Sequence, residues 1–261
     1  MMKFEIEIQD ENLTQKGIRA IIDFYRSLAV SELALPEALG FATGIDSPFL
    51  NVLFDLRTNI ANSKQLIDKA NEFFDQYQIP WGWFITPARK ENDLEQYGFA
   101  LLEEAPAMYF SLLNALPTFK SSEIVIEEVD KNSTLEQWID PINEAFEAKE
   151  GDDSYRQLNE TALKNYSNKF RHYVAYYQGS LGGAATLFLA DEAVMLHNLG
   201  VKKDFKNKGI GTALTLHMME VAKKLGYQDC FLDSSEEAFN LYKKLEFKTY
   251  NSTLIYSKIN K

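Results

Sequence analysis

Gly209 and Gly211 stand where a predicted strand gives way to the most regular predicted helix of the sequence. Glycine lets the backbone approach a ligand closely, and N–H groups at the start of a helix point toward an anion. The surrounding segment, residues 201–214, carries four lysines against Asp204 and so has a net charge of +3, in a chain whose net charge is −11. These features indicate a phosphate-binding loop. The alternative is a solvated turn in which a glycine precedes the helix.

Two known phosphate-binding patterns do not fit this segment. Gly209-x-Gly211, with Asp233 at the end of the next strand, matches part of the Rossmann fingerprint, but Leu214 replaces the third glycine. Seven residues also separate Val201 from Gly209, whereas the Rossmann glycines follow their strand directly. A Walker loop requires Gly-x-x-x-x-Gly-Lys followed by Ser or Thr, and the sequence contains no such run.

Two stretches of this region together resemble the GNAT family of N-acetyltransferases. The first runs Lys206-Asn-Lys-Gly-Ile-Gly211. It is similar to the family's Arg/Gln-x-x-Gly-x-Gly/Ala loop, with lysine where arginine or glutamine is usual. The second, residues 232–247, contains Tyr242 and ends in Glu246-Phe247, where Gly-Phe is usual. Lysine keeps the positive charge of arginine but lacks its planar fork, so weaker coenzyme binding is expected.

The resemblance covers residues 123–261 and implies that acetyl-CoA is the cosubstrate and a primary amine the acceptor. The strand that ends at Val201 would offer backbone groups to the pantetheine arm and to the thioester carbonyl, and residues 206–212 would cradle the pyrophosphate. Lys202 or Lys203 would reach the adenosine phosphate, unless both serve only solubility. The implied coenzyme-binding residues are Leu199, Gly200, Val201, Lys206, Asn207, Lys208, Gly209, Ile210, Gly211, Thr212 and Ser235, with Asn240 as an alternative to Ser235.

Acetyl transfer from a thioester to an amine requires that the amine lose a proton and that the leaving thiolate gain one. By resemblance Tyr242 is the general acid, which suits a tyrosine pKa of about 10; a core tyrosine is the alternative. His197 resembles a histidine of aralkylamine-type acetyltransferases and is the candidate base; a structural histidine is the alternative. Strand alternation predicts that His197 shares a sheet face with Leu199 and Val201. Met195 stands where histone-type members carry a base glutamate.

Hydrophobic periodicity predicts a mixed α/β fold made of two tandem halves. A boundary is predicted at residues 117–122, which gives domains 1–120 and 121–261. The first half is predicted to contain strands at residues 4–8 and 47–56. The second half is predicted to contain helices near residues 135–148, 160–169 and 210–225, with three strands at residues 172–177, 181–189 and 193–201.

The first half is interpreted as a degenerate copy of the GNAT-like second half. Both halves follow the order strand, helix, strands, helix, aromatic corner and strand. Residues 1–120 contain no Gly-x-Gly loop, and Leu94 stands where this copy would need its tyrosine. The first half is therefore expected to bind no coenzyme.

Composition limits the classes of function. With 38 acidic against 27 basic residues and a pI near 4.9, nucleic acid is not an expected partner. No uncharged apolar run is long enough to span a membrane, and the N-terminus lacks an apolar signal region, so a cytoplasmic protein is expected. The single cysteine, Cys230, excludes a disulfide framework and a cysteine-based zinc site, and no metal is expected.

Three hypotheses follow for the function. The first is an acetyl-CoA-dependent N-acetyltransferase, which the presence of Tyr242 favours. The second is a non-catalytic acyl-CoA-binding or sensor protein with the same fold, which Lys206 and Glu246 favour because both depart from the family pattern. The third is a purely structural tandem domain, which predicts no coenzyme binding. The sequence does not indicate the acceptor or the oligomeric state.

Overall fold

The computed structural model describes residues 4–56, 63–88, 94–129, 135–149, 151–166 and 168–258. The chain divides into two compact units, Met1–Ala107 with Thr249–Lys261, and Met108–Lys248. Within the described residues no helix is both long and apolar enough to cross a bilayer. The predicted mixed α/β class is confirmed, since each unit combines helices with parallel and antiparallel strands.

Over its described residues, the first unit contains two α-helices and most of six strands. Its elements are α1 (Glu11–Leu28), β1 (Ser31–Leu35), β2 (Ala38–Ala42), β3 (Val52–Asp55), α2 (Ser63–Asp75), β4 (Gly82–Ile85), residues 99–107 of β5 (Phe99–Ser111), and β11 (Lys248–Lys258) from Thr249 onward. β1, β2 and β3 form an antiparallel meander, and β3 then pairs in parallel with β4. The helix between that parallel pair is α2. β11 pairs antiparallel with β4.

In the part of the second unit that the structure describes, there are four α-helices and five further strands. Its elements are β6 (Ile124–Glu128), α3 (Leu135–Ala145), α4 (Ser154–Tyr166), β7 (Phe170–Tyr177), β8 (Ser180–Leu189), β9 (Val194–Val201), α5 (Ile210–Lys224), β10 (Asp229–Asp233) and α6 (Phe239–Lys244). β6 to β9 are antiparallel to their neighbours, and β9 then pairs in parallel with β10. The helix between this parallel pair is α5.

Two apolar clusters fill the second unit. The α5 core cluster includes Leu196, Leu214, Met218, Cys230, Tyr242 and Phe247. The α3 core cluster consists of Trp138, Ile139, Ile142, Val174 and Ala184. Because side chains of a strand alternate between faces, β7 and β8 contribute residues to both clusters.

α5 positions the start of the candidate site, and its sequence explains both of its ends. Ile210, Leu214 and Met218 recur on one face and are at most 1% exposed. The helix ends at Lys224, close to the predicted end at residue 225. Gly226 follows with φ of 91°, a left-handed conformation that glycine adopts without steric cost, as at many helix C-termini.

Several predictions for the first half differ from the structure. Residues 4–8 do not form a strand, although the N–H groups of Glu7 and Ile8 donate to the carbonyl of Thr249. The predicted strand at residues 47–56 contains a turn and only the short β3. Residues 117–122 lie within the second compact unit, and most of β11 groups with the first unit. The division into domains 1–120 and 121–261 stays a prediction.

Candidate active site

The parallel ladder between β9 and β10 is short. Its pairs are Cys230↔Val194 and Phe231↔Met195, although β9 continues to Val201. Within the described part of the chain, the β10-facing edge of β9 therefore has no partner strand beyond Met195. Backbone N–H and C=O groups along such an edge are available to an extended ligand, as they are on any sheet edge.

A β-bulge in β9 changes the direction of its side chains. The register with β8 shifts between Ala184 and Thr186, and Asn198 has φ of 49°. Leu196 belongs to the α5 core cluster, and Leu199 and Val201 also pack against it. Regular alternation would have placed Leu196 on the face opposite to these two residues. The bulge adds one residue to β9, so Leu196, Leu199 and Val201 lie on the same face.

The bulge corrects one prediction for His197. His197 follows Leu196 in the strand and therefore points to the opposite face, so it does not share a face with Leu199 and Val201. Gly200 also lies on the α3 side: a Cβ there would approach Pro141 O at 3.0 Å. The predicted acid Tyr242 belongs to the α5 core cluster, so the two predicted proton-transfer groups lie on opposite faces of the sheet.

The predicted phosphate loop lies at the open end of β9. Gly209 precedes α5 with φ of 84° and, as a glycine, supplies no side-chain cap to the helix. The first N–H groups of a helix have no intrahelical acceptor, so they can bind an anion. A Cβ at Gly211 would lie 3.0 Å from Leu241 Cδ1, 3.6 Å from Leu199 Cδ2 and 3.9 Å from Val201 Cγ2. Glycine thus lets the helix start lie against both β9 and α6.

Two lysines of the loop contact side chains beside its glycines. Lys206 Nζ donates to Glu237 Oε1 at 2.6 Å. Lys208 Nζ lies 5.0 Å from the centroid of the Tyr177 ring, a cation–π arrangement. Asn207, between them, has φ of 63°, a left-handed conformation that asparagine tolerates better than most residues.

The other two lysines of the segment contact acidic side chains of α3 and the residues that follow it. Lys202 Nζ donates to Asp140 Oδ2 at 2.9 Å, and Lys203 Nζ lies 3.7 Å from Glu147 Oε1. The local charge of +3 inferred from residues 201–214 is therefore offset by carboxylates from elsewhere in the unit. Asp140, Glu147 and Glu237 were not identified from the sequence, because they are distant from the loop along the chain.

Tyr242 is 6% exposed and lies in the α5 core cluster beside Phe247, with ring centroids 5.7 Å apart. Burial, with a smaller contribution from neighbouring Cys230, raises the pKa of Tyr242 well above its usual value. The phenol is therefore protonated at neutral pH. A group with this pKa stabilises a thiolate by donating a hydrogen bond more readily than by transferring its proton completely.

His197 has a buried Nε2 atom, and burial lowers the pKa of its imidazole to about 3. The ring is therefore neutral at every pH from 5 upward. A neutral imidazole can accept a hydrogen bond from an amine or a water molecule. Such a low pKa does not favour it as a group that holds a full proton, so the role of His197 as base stays a prediction.

Ser235 and Asn240 are both exposed, at the two sides of the start of α6. Ser235 Oγ accepts a hydrogen bond from the Ala238 N–H at 3.3 Å. Glu246, which stands where the family usually has glycine, adopts φ of 64°. This left-handed conformation is one that glycine adopts without steric cost, so the turn before Phe247 has the geometry that a glycine would give.

The first unit has the same order of strands but a closed parallel pair. β3 and β4 pair at all four positions, from Val52↔Gly82 to Asp55↔Ile85. Asp55 is fully buried, and its Oδ2 accepts a hydrogen bond from Trp83 Nε1 at 3.1 Å. Leu94, at the predicted tyrosine position, is fully buried in an apolar cluster. β3 and β4 therefore do not part in the way that β9 and β10 do.

Residues 133–247 match the model of the acetyltransferase (GNAT) family. This stretch includes the predicted phosphate loop, the open end of β9, and α5, β10 and α6. No curated protein matches the chain by sequence. The described residues contain no group of three or more His, Cys, Asp or Glu side chains arranged to hold a metal ion.

Solved structures similar to this chain carry the GNAT fold over nearly its whole length. A GCN5-related N-acetyltransferase from Kribbella flavida has a TM-score of 0.71 at 16% identity, covering 94% of this chain and 97% of that chain. A second, from Sphaerobacter thermophilus, has a TM-score of 0.64 at 12% identity, covering 85% of this chain and 76% of that chain. A tandem GNAT protein from the clavulanic acid biosynthesis pathway has a TM-score of 0.55 at 13% identity, covering 84% and 78%. These likenesses concern the GNAT fold alone, which the chain carries in a two-unit form.

Proposed function

We propose that the second unit transfers an acetyl group from acetyl-CoA to a primary amine. The observation that carries the proposal is the parting of β9 from β10 after Met195 and Phe231, next to the start of α5, where a glycine precedes the helix. An open strand edge and a helix N-terminus suit, in that order, the amide-containing arm and the pyrophosphate of one elongated ligand. The family match over residues 133–247 supports the same assignment.

Backbone groups would do most of the binding. N–H and C=O groups of Leu199, Gly200 and Val201 would pair with the pantetheine amides, and an N–H among them would donate to the thioester oxygen as negative charge develops there. The N–H groups at the start of α5, from Ile210 to Thr212, would bind the pyrophosphate. Gly209 and Gly211 add no side chain of their own to this region. Backbone donors are held rigidly by β9 and α5, so they need no reorganisation on binding.

Proton transfer would involve both faces of the sheet. Tyr242, on the α5 side, would donate a hydrogen bond to the departing sulfur, and its raised pKa keeps the proton available at neutral pH. His197, on the opposite face, would accept a hydrogen bond from the amine or from a water molecule that takes the proton. An acid and a base on opposite sides of the gap would suit an acceptor that approaches from the face opposite to Tyr242.

An acyl-CoA-binding protein without catalytic activity is the second candidate function. One observation favours it: Lys202, Lys203 and Lys206 all contact carboxylates. A loop whose charges are already paired binds phosphate less strongly than the sequence suggests. Such a protein would bind the coenzyme weakly and would release no thiol.

We also infer that the first unit is a copy of the GNAT fold that has lost its coenzyme site. Its meander, helix and parallel strand follow the same order as β7 to β10 with α5. The fully paired β3 and β4 offer no open edge, and the buried carboxyl group of Asp55 at the end of β3 would repel a phosphate. One coenzyme site per chain is therefore expected.

Release of free thiol from acetyl-CoA tests the catalytic proposal. The purified chain is incubated with acetyl-CoA and a panel of primary amines, including polyamines, aminoglycosides, aralkylamines and lysine peptides, and the thiol is titrated. We expect amine-dependent release with at least one class. Coenzyme binding without release from any class would favour the binding protein, and neither binding nor release would favour a purely structural role.

A further inference from the structure

A linker segment, residues 112–123, connects β5 to β6 and follows the length of α5. At the C-terminal end of the helix, Lys223 Nζ donates to the carbonyl of Asn114 at 2.6 Å. At the N-terminal end, Phe119 lies against Gly209. Between these ends of the segment, Leu116 packs against the α5 core cluster.

Phe119 is held directly on the predicted phosphate loop. A Cβ at Gly209 would lie 2.5 Å from Phe119 Cζ and 3.2 Å from Phe119 Cε2, so the ring occupies the space that any side chain at position 209 would need. The ring contact adds a second reason for glycine at this position, besides its φ of 84°. Phe119 is nevertheless 41% exposed. The linker segment thus presents a large, partly exposed aromatic ring at the start of α5.

We propose that Phe119 stacks on the adenine ring of the coenzyme. The inference rests on the proposed function: a pyrophosphate bound at the start of α5 would place the attached nucleoside within a few ångströms of the loop. Adenine has a flat π-face, and an exposed phenyl ring is the side chain that pairs with such a face without requiring a hydrogen bond. The linker segment therefore belongs to the coenzyme site.

Anchoring of the linker segment makes Phe119 suitable for this role. The Lys223–Asn114 hydrogen bond and the packing of Leu116 hold the residues that precede Phe119 against the α5 region, so the ring is positioned before the ligand arrives. A preorganised ring loses less conformational entropy on binding than a mobile one. Leu113 lies in the same segment, is 70% exposed and precedes Asn114, which contacts the far end of α5 from the loop, so it is a matched control.

Calorimetry with two ligands tests the proposal. Acetyl-CoA contains the nucleotide, whereas S-acetyl-4′-phosphopantetheine carries the same arm and one phosphate without adenine. Phe119→Leu keeps an apolar contact with Gly209 but removes the aromatic face, and Phe119→Trp keeps that face. We expect Phe119→Leu to weaken acetyl-CoA binding about 5- to 100-fold, while Phe119→Trp and Leu113→Ala stay within about twofold of the wild type. Binding of S-acetyl-4′-phosphopantetheine should not change in any variant.

The outcomes separate this proposal from the proposed function. If wild-type protein binds acetyl-CoA and Phe119→Leu binds it equally well, Phe119 has no stacking role although the coenzyme site stands. If Phe119→Leu weakens both ligands equally, the ring only supports the loop. Tighter binding in Phe119→Leu would mean that the ring obstructs the site. A wild type that binds neither ligand overturns both proposals.

Discussion

Lys206 and Glu237 form an ion pair, with 2.6 Å between Nζ and Oε1, at the loop that is proposed to bind pyrophosphate. Lys206 belongs to the loop, and Glu237 belongs to the turn before α6. Both side chains are largely exposed, so the pair contributes little to folding stability. Its consequence is electrostatic, because a carboxylate held beside the loop opposes the approach of a phosphate.

Replacing Glu237 by glutamine is expected to strengthen coenzyme binding. Removal of one exposed carboxylate near the phosphates should lower the Kd for acetyl-CoA about two- to fivefold. Glu236→Gln is the matched control, because Glu236 is the neighbouring exposed acid and its substitution removes the same charge. Calorimetry at low ionic strength compares the two variants. Equal effects of both would indicate a general change in charge, and no effect of Glu237→Gln would remove the pair from the description of the site.

Tyr242→Phe is expected to reduce kcat without weakening coenzyme binding. The substitution removes one hydroxyl from a buried ring, and general acid catalysis typically contributes about 10²- to 10⁴-fold. Tyr109→Phe is the control, because Tyr109 donates a hydrogen bond to Asp229 at 2.7 Å on neighbouring β10 but has no assigned chemistry. Steady-state kinetics measure kcat for both variants. Wild-type turnover in Tyr242→Phe would exclude a role for this hydroxyl in a rate-limiting chemical step.

The observed elements of the second unit agree closely with those predicted from the sequence, because the sequence patterns there are local and strong. α5 has a regular apolar face and a glycine at each end, and its bounds agree with the prediction within one residue. The two-residue turn Gln178-Gly179 fixes the β7–β8 hairpin, and Gly179 has φ of 81°. The class of the fold is predictable for the same reason, since each element carries its own periodicity.

The first unit was harder to predict because its strands are short. β1 and β2 have five residues each and are joined by Pro36-Glu37, which is not among the common two-residue hairpin turns. β3 has four residues, so alternation gives little information. Its position depends on Asn51, whose side chain donates to Ile45, Ser47 and Pro80 carbonyls; such a network is not visible in a sequence pattern.

The sequence predicts the position of the loop before α5, and it does not predict the side chains that surround the loop. Gly209 and Gly211 are separated by one residue, so their spacing in the sequence was sufficient to predict the loop. The predicted sheet face of His197 was wrong because the bulge at Asn198 adds one residue to the strand. Asparagine occurs in ordinary strands and turns alike, so it does not signal a bulge. Glu237 and Phe119 reach the loop from other parts of the chain, and only tertiary structure brings them there.

The pH dependence of catalysis should not report the titration of His197. Its pKa is lowered to about 3 by burial, so the imidazole remains unprotonated from pH 9 down to pH 5. A base loses activity only as the pH falls through its own pKa, so an acid limb of kcat/KM near pH 6.5 would belong to another group. We expect His197→Gln to lower kcat/KM while the shape of the profile between pH 5 and 9 stays the same. An inflection near pH 6.5 that disappears in His197→Gln would contradict this account.

Stability is expected to fall in mild acid because of His172. This residue is 2% exposed, its Nδ1 lies 2.8 Å from Thr186 Oγ1, and burial lowers its pKa to about 3. In the unfolded chain His172 binds a proton with a pKa near 6.5, whereas in the folded chain it does so only near pH 3. The contribution of the neutral ring to the free energy of unfolding is therefore fully present above pH 6.5 and decreases as the pH falls toward 3. The slope approaches about 1.4 kcal/mol per pH unit.

Urea unfolding at pH 7.5, 6.0 and 5.0 measures this contribution. Carboxylates with ordinary pKa values titrate little in that range, and burial raises the pKa of Glu103, so the comparison with a His172 variant isolates the histidine. His172→Gln should be less stable at pH 7.5 and should show a shallower decrease toward pH 5.0 than the wild type. Parallel decreases in the two proteins would show that His172 is not the responsible group.

The central claim is that the start of α5 binds the pyrophosphate of acetyl-CoA at one site per chain, and calorimetry on a matched pair of variants tests it. Thr212 lies in the first turn of α5, which contains no acidic residue. Thr212→Glu places a carboxylate where it stabilises the helix dipole but repels a phosphate, and Thr212→Gln has the same shape without the charge. We predict one site in the wild type, similar affinity in Thr212→Gln, and a loss of about tenfold or more in Thr212→Glu with an unchanged melting temperature. Equal affinity in the two variants, two sites per chain, or no binding by the wild type would contradict the account.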